Sequence, residues 1–346
     1  MGKSLDISEF LCQQREKGFP VVDVRSPGEF RKGHLPAAVN IPLFDNDERA
    51  IVGTLYKQEG RQSAFLKGLE IVGPKMRSFV EEATQISQGK KILTYCWRGG
   101  MRSHSMAQLW EASGLATSTL IGGYKAFRKH VHASMALPYE FHVIGGPTGS
   151  GKTFILHELK KMGEQVVDLE GLAKHKGSAF GGIGEEEQPS TETFENLLWK
   201  RLSELDASKR IWVEDESMLI GKIFIPEVFY ERMQQSRIFV IQLPLRARLD
   251  HLVEIYANYD HQEGKDAIDR IKKRLGSQNQ IAAHSAIDQG DYVKAAKICL
   301  TYYDKAYAYG LSQKPKDLIC KIVLDEANPE KAARILLNKA YQYQPT

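Results

Sequence analysis

The chain has 346 residues, 42% hydrophobic and 26% charged, with a formal net charge of +4. Such a length favours two domains at roughly 100–200 residues each, and the composition excludes a fibrous or largely disordered chain. The slight basic excess is compatible with a phosphorylated or nucleic-acid partner without requiring one. The amino terminus MGKSLDISEFLCQQREKG has no apolar run followed by a cleavage site, and no segment approaches a membrane span. A cytoplasmic protein with no membrane association is the expectation.

In chain order, FPVVDVRS and KKILTYC read as strands, RSHSMAQLWEASGL as a helix with an apolar face, and TSTLIGGYKAF as a strand running into a glycine turn. These make a small parallel α/β domain, expected over residues 1–137, with the helical YKAFRKHVHASMALP leading to the boundary. Between the second strand and the helix lies YCWRGGMRS. A cysteine there, Cys96, faces the converging N–H groups of a helix start, which favours a thiolate nucleophile. Arg98 and Arg102 add fixed positive charge, while Gly99 and Gly100 let the backbone curl around an anion. The other cysteines, Cys12, Cys299 and Cys320, stand in apolar surroundings without CxxC spacing and read as structural.

A second α/β run follows, expected over 138–245 as a doubly wound sheet. Its first unit, EFHVIGGPTGSGKTFILHELKKMG, is strand, glycine loop and helix, and satisfies G-x-x-x-x-G-K-[ST]. Backbone N–H groups of Gly146, Thr148, Gly149, Ser150 and Gly151 would surround a diphosphate, Lys152 would neutralise its outer oxygens, and Thr153 could hold Mg2+. The runs EQVVD, RIWVEDES and RIFVIQLP supply further strands. Asp215, then Glu214, are the first and second choices for the acid that orients a metal, although either also reads as an ordinary strand-end acid. Asp168 stands where P-loop kinases often meet a second substrate. LEGLAKHKGSAFGGIG, with Lys174, His175 and Lys176 ahead of its glycines, reads either as a surface loop or as a loop covering a substrate, and the latter is preferred.

Residues 246–312 read as helical, with a basic knot of Arg270, Lys272, Lys273 and Arg274. Residues 313–346 carry a strand, DLICKIVLD, and a helix with Asn328 as N-cap and Pro329 at its first position.

The segment DVRSPGEFRKGHLPAAVNIPL, followed by the cysteine loop, resembles the rhodanese domain family in Asp23, Arg25, Ser26, Glu29, Phe30, Gly33, His34, Pro36, Ala38, Asn40 and Pro42. The resemblance implies that Cys96 carries sulfur or selenium as a persulfide or its selenium counterpart. Five residues separate Cys96 from Arg102, where four are usual in single-domain rhodaneses, and this wider loop resembles the rhodanese-like phosphatases. A phosphatase attacking phosphorus, or a donor bearing a phosphate group, therefore both remain open.

A rhodanese-like domain joined to a P-loop NTPase-like domain with LEGLAKHKGSAFG and WVEDES resembles the tRNA 2-selenouridine synthase family over nearly the whole chain. The resemblance implies a transferase whose partner is tRNA carrying 2-thiouridine at the wobble position. Its co-substrates would be geranyl diphosphate, which alkylates the sulfur, and selenophosphate, whose selenium then replaces the S-geranyl group. Candidate tRNA contacts are the basic knot and Lys125, Arg128 and Lys129. The alternatives are a rhodanese–kinase fusion acting on a small molecule, and a rhodanese-like phosphatase or regulatory module.

Overall fold

A computed structural model of the chain describes residues 2–257 and 259–342, so the ends of the expected 1–137 and 313–346 segments, residues 1 and 343–346, lie outside the described residues. The chain divides into two compact units, Met1–Ser134 and Met135–Thr346.

The first unit runs β1 (Lys3–Leu5), α1 (Ile7–Lys17), β2 (Val21–Asp23), α2 (Pro27–Lys32), β3 (Ala38–Asn40), α3 (Asn46–Gln58), α4 (Arg61–Val72), α5 (Met76–Ser87), β4 (Ile92–Tyr95), α6 (Met101–Ala112), β5 (Thr117–Leu120) and α7 (Gly123–Met135). Its parallel sheet has the order β1-β5-β4-β2-β3. β4 is central and buried at every residue, as expected for an apolar run covered on both faces. Val22, Ile92, Phe79, Met106 and Trp110 form the core on one side. α2 begins where Ser26 and Glu29 satisfy each other's backbone N–H groups in a capping box, with Pro27 in the first turn. On α1 it is Phe10 that turns inward; Cys12 is exposed, contrary to its structural reading, because it lies two positions from Phe10 and so on another face of the helix. Cys299 and Cys320 are buried.

The second unit runs β6 (Phe141–Gly145), α8 (Lys152–Lys161), β7 (Gln165–Val167), α9 (Leu169–Ala173), α10 (Thr191–Ser203), β8 (Ile211–Glu214), β9 (Leu219–Ile220), β10 (Ile223–Phe224), α11 (Glu227–Gln234), β11 (Arg237–Gln242), α12 (Leu245–Tyr256), α13 (His261–Leu275), α14 (Ser277–Asp288), α15 (Tyr292–Ser312), β12 (Ile319–Val323) and α16 (Pro329–Tyr341). All neighbours in its five-stranded sheet, β12-β11-β6-β8-β7, are parallel. β6 lies at the centre, where successive connections leave to opposite sides, the usual ligand position in such sheets. The antiparallel β9–β10 hairpin was not expected from the sequence. Asn328 caps α16 by accepting the Lys331 N–H, with Pro329 following. Helices α13–α15 pack a core of their own around Ile268, Ile271, Ala283 and Cys299, to which Ala179 and Phe180 add. Among the described residues no helix is long and apolar enough to cross a membrane.

Candidate functional site

The cysteine loop joins β4 to α6. Cys96 Sγ is buried, accepts the Gly100 N–H at 3.2 Å and receives the Ser103 hydroxyl at 3.3 Å. Gly100 is the residue that caps α6, so the sulfur lies at the positive end of that helix. The loop is pinned from behind by the Tyr124 N–H on the Cys96 carbonyl, 2.8 Å, and the Lys125 N–H on the Trp97 carbonyl, 3.0 Å. This close approach requires Gly99 and Gly123: both have positive φ, and a Cβ on Gly123 would stand 2.2 Å from the Cys96 carbonyl oxygen. Beneath, the buried Arg25 pairs with Asp23 at 2.6 Å and lies 3.8 Å from the Tyr124 ring centroid.

Arg98 is exposed. Arg102, by contrast, is held by both oxygens of Glu29, at 2.7 and 3.3 Å. Burial would raise the Glu29 carboxyl, but Arg102 and the Ser26 N–H outweigh it and hold the group below its ordinary range. Any anion that recruits Arg102 therefore competes with Glu29.

The phosphate-type loop joins β6 to α8. Gly146, Gly149 and Gly151 have φ of 151°, 84° and 74°. A Cβ on Gly149 would come within 3.0 Å of the Arg248 carbonyl and of Leu252. Arg248, itself buried, donates from Nε to the Thr148 carbonyl at 2.9 Å and clasps Asp304 of α15 at 2.6 and 3.1 Å. Lys152 Nζ reaches the Gly146 carbonyl at 3.5 Å, and Ser150 Oγ is buried without a hydrogen-bond partner among the described residues.

The acid facing Thr153 is Glu170, which accepts the threonine hydroxyl at 2.7 Å. Glu170 also hydrogen-bonds the Glu216 carboxyl, and its N–H donates to Glu214 at 2.9 Å. Burial first, then the charge of neighbouring acids, pushes Glu214 and Glu216 well above the usual carboxylate range. Asp215 pairs with Lys314 at 3.3 Å. Asp168 caps α9 and pairs with His157 at 2.8 Å. His175 is half-buried, and burial lowers its pKa; Lys176 pairs with Glu185 at 2.5 Å and with the Ile183 carbonyl at 3.2 Å.

Of the basic knot, Arg270 donates to the Ala179 carbonyl at 2.8 Å and Arg274 to the Tyr302 hydroxyl at 2.7 Å, while Lys272 and Lys273 are exposed. Lys125 and Lys129 are exposed on α7, and Arg128 reaches His132 at 3.0 Å. Glu170, Glu216 and Ser103 belong to these sites; each lies inside a motif read from the sequence without having been singled out, whereas Arg248 lies in no motif.

Two family models match the chain: the rhodanese-like domain over residues 7–130, and the tRNA 2-selenouridine synthase AAA domain over residues 139–330. Among solved structures, the N-terminal domain of a putative ATP/GTP binding protein from Clostridium difficile 630 is 37% identical, with 37% of this chain and 98% of that one covered and a TM-score of 0.35. A rhodanese-related protein from Thermoplasma volcanium is 17% identical, with coverage of 37% and 92% and a TM-score of 0.24. A possible tyrosine phosphatase from Rhodopseudomonas palustris is 20% identical, with coverage of 37% and 81% and a TM-score of 0.24. With a rhodanese-like domain ahead of a P-loop domain that the synthase model matches over more than half the chain, this protein belongs to the tRNA 2-selenouridine synthase family and is a tRNA-modifying enzyme.

Proposed function

We propose that the enzyme converts 2-thiouridine at the tRNA wobble position to 2-selenouridine in two steps, one served by each loop. The first is alkylation: the thiocarbonyl sulfur attacks the allylic carbon of geranyl diphosphate, a C–S bond forms, the C–O bond breaks, and diphosphate leaves. Lys152 and the N–H groups of Gly146–Thr153 would stabilise the charge that grows on the departing oxygens. Thr153 and Glu170 are the residues that would hold Mg2+, which would supply further neutralisation of that charge. Among the described residues no group of three His, Cys, Asp or Glu could hold a metal unaided. This donor set suits an ion that takes its remaining ligands from phosphate oxygens and water.

The second step replaces the S-geranyl group. Selenium from selenophosphate forms the bond to C2, the C2–S bond breaks, and geranyl thiol leaves; water takes the phosphoryl group as phosphate. Cys96 and its loop would hold the selenium donor, with Arg102 receiving its phosphate oxygens in exchange for Glu29. The observation that carries the reading is the Cys96 sulfur under the Gly100 N–H, a reactive centre kept in a chain whose other unit matches the synthase family.

The test is mass spectrometry of wobble nucleosides after incubating thiolated tRNA with the enzyme. Geranyl diphosphate alone should yield S-geranyl-thiouridine, and both donors together should yield selenouridine. Selenouridine formed at full rate with no geranyl diphosphate would overturn the two-step order.

A further inference from the structure

Beside the phosphate-type loop lies a pocket whose non-atom space is about 760 Å3, its open mouth included. Thr148 of the loop is part of its lining, with Phe180, Ile183, Leu252, Tyr256, Cys299 and Leu300 among the others. It is built by α12, α13, α14 and α15 together with the segment after α9 that the sequence singled out as a substrate cover.

The lining offers little to a polar ligand. The Tyr303 hydroxyl is occupied by the Ala179 N–H at 3.0 Å, the Tyr292 hydroxyl pairs with His261 at 2.6 Å, and the Tyr256 hydroxyl engages Ser178. Burial pushes the Cys299 thiol up to about 12, so it stays neutral. A nucleobase entering here would meet polar partners chiefly at Thr148, Ser178, Asp260 and His261, and its ring nitrogens and exocyclic groups facing the rest of the lining would go unpaired, a loss that apolar contacts do not repay. A hydrocarbon chain has no such groups.

We infer that this pocket seats the prenyl chain of a diphosphate ester whose diphosphate occupies the loop Gly146–Thr153. The inference rests on the proposed use of geranyl diphosphate and adds where the hydrocarbon goes. It gives the glycine-rich segment after α9 a function: Phe180 and Ile183 form the side of the pocket that closes over the chain. It also places the chain against a loop residue, Thr148, so the ester oxygen lies at the boundary between the apolar and the anion-binding halves.

Calorimetry on the full-length protein tests this with four probes: inorganic pyrophosphate, dimethylallyl diphosphate, geranyl diphosphate and ADP. The five extra carbons of geranyl over dimethylallyl should raise affinity by about 10²–10³-fold, and ADP should bind no tighter than pyrophosphate. In Ala296→Phe, whose side chain grows into the pocket, the geranyl-to-dimethylallyl ratio should fall at least tenfold. A wild-type ratio near one, with pyrophosphate still bound, overturns the pocket assignment. So does an unchanged ratio in a folded Ala296→Phe protein.

Should that variant not fold, a diazirine-bearing geranyl diphosphate on the wild-type protein decides. Labelling of Phe180, Tyr256 or Cys299 supports the pocket, and labelling confined to residues outside it overturns it. Failure of the underlying reading looks different: geranyl diphosphate would bind with the expected chain-length preference, yet no geranyl group would reach thiolated tRNA.

Discussion

The two loops are built on one plan and differ in charge balance. Each leaves the carboxyl end of a buried parallel strand, turns on glycines with positive φ, and enters a helix. In the cysteine loop Arg98 is exposed while Arg102 is already matched, resting on both oxygens of Glu29. In the phosphate-type loop Lys152 meets a carbonyl at 3.5 Å, and the nearby Glu214 and Glu216 are held towards their neutral forms by burial. The first is suited to an anion that must displace a carboxylate and leave again. The second offers unneutralised donors to a polyanion throughout its stay.

The sharpest way to break this comparison is a crossed pair of variants. Cys96→Ser should lower selenation by at least about 10³-fold and let S-geranyl tRNA accumulate, as loss of a reactive centre does. Lys152→Ala should lower geranylation by about 10²–10³-fold yet still convert tRNA geranylated beforehand. Nucleoside mass spectrometry reads both, and loss of both steps in either variant would show that the loops do not act separately.

Next in size is Arg248→Met. It strands the Thr148 carbonyl and Asp304, whose side chain is 40% exposed. Truncating a buried pair costs about 3–5 kcal/mol; with one partner partly solvated, a loss of about 1–3 kcal/mol is expected in denaturant unfolding. An unchanged midpoint would remove Arg248 as a brace.

The smallest effect is a pH dependence at Glu214. Its carboxyl is raised in the folded protein, chiefly by burial and then by Asp168 and Glu170, so the folded state holds its proton longer than the unfolded chain. Stability from this group is therefore present below the unfolded value of about 4.3 and is lost as pH rises towards the folded one. Glu214→Gln stays neutral and should gain on wild type with rising pH, with Tm higher by about 2–4 °C at pH 8. A difference that is flat with pH would contradict the assignment.

Both loops were legible because their chemistry is local. Glycines, Cys96 and Lys152 lie within a few residues of one another, and each loop sits between an apolar run and a helix pattern. Strands such as FHVIG were equally plain, being apolar but for His142 and buried throughout. What was not legible depends on approach through space. Arg248 meets Thr148 across a hundred residues, and Glu170 meets Thr153 only because α9 turns back towards α8. The preference for Asp215 and Glu214 rested on strand position alone, which does not say that Asp215 faces Lys314 or that Glu214 is sealed in. The hairpin β9–β10, with two residues per strand, is too short to give a period.

Arg248 carries one more consequence. A single buried guanidinium ties the backbone of the phosphate-type loop to α15, the longest helix of the chain's second unit. Native-state hydrogen exchange should therefore find the amides of Gly149–Gly151 and those around Asp304 opening together, as one cooperative block, rather than as a fraying loop beside a stable helix.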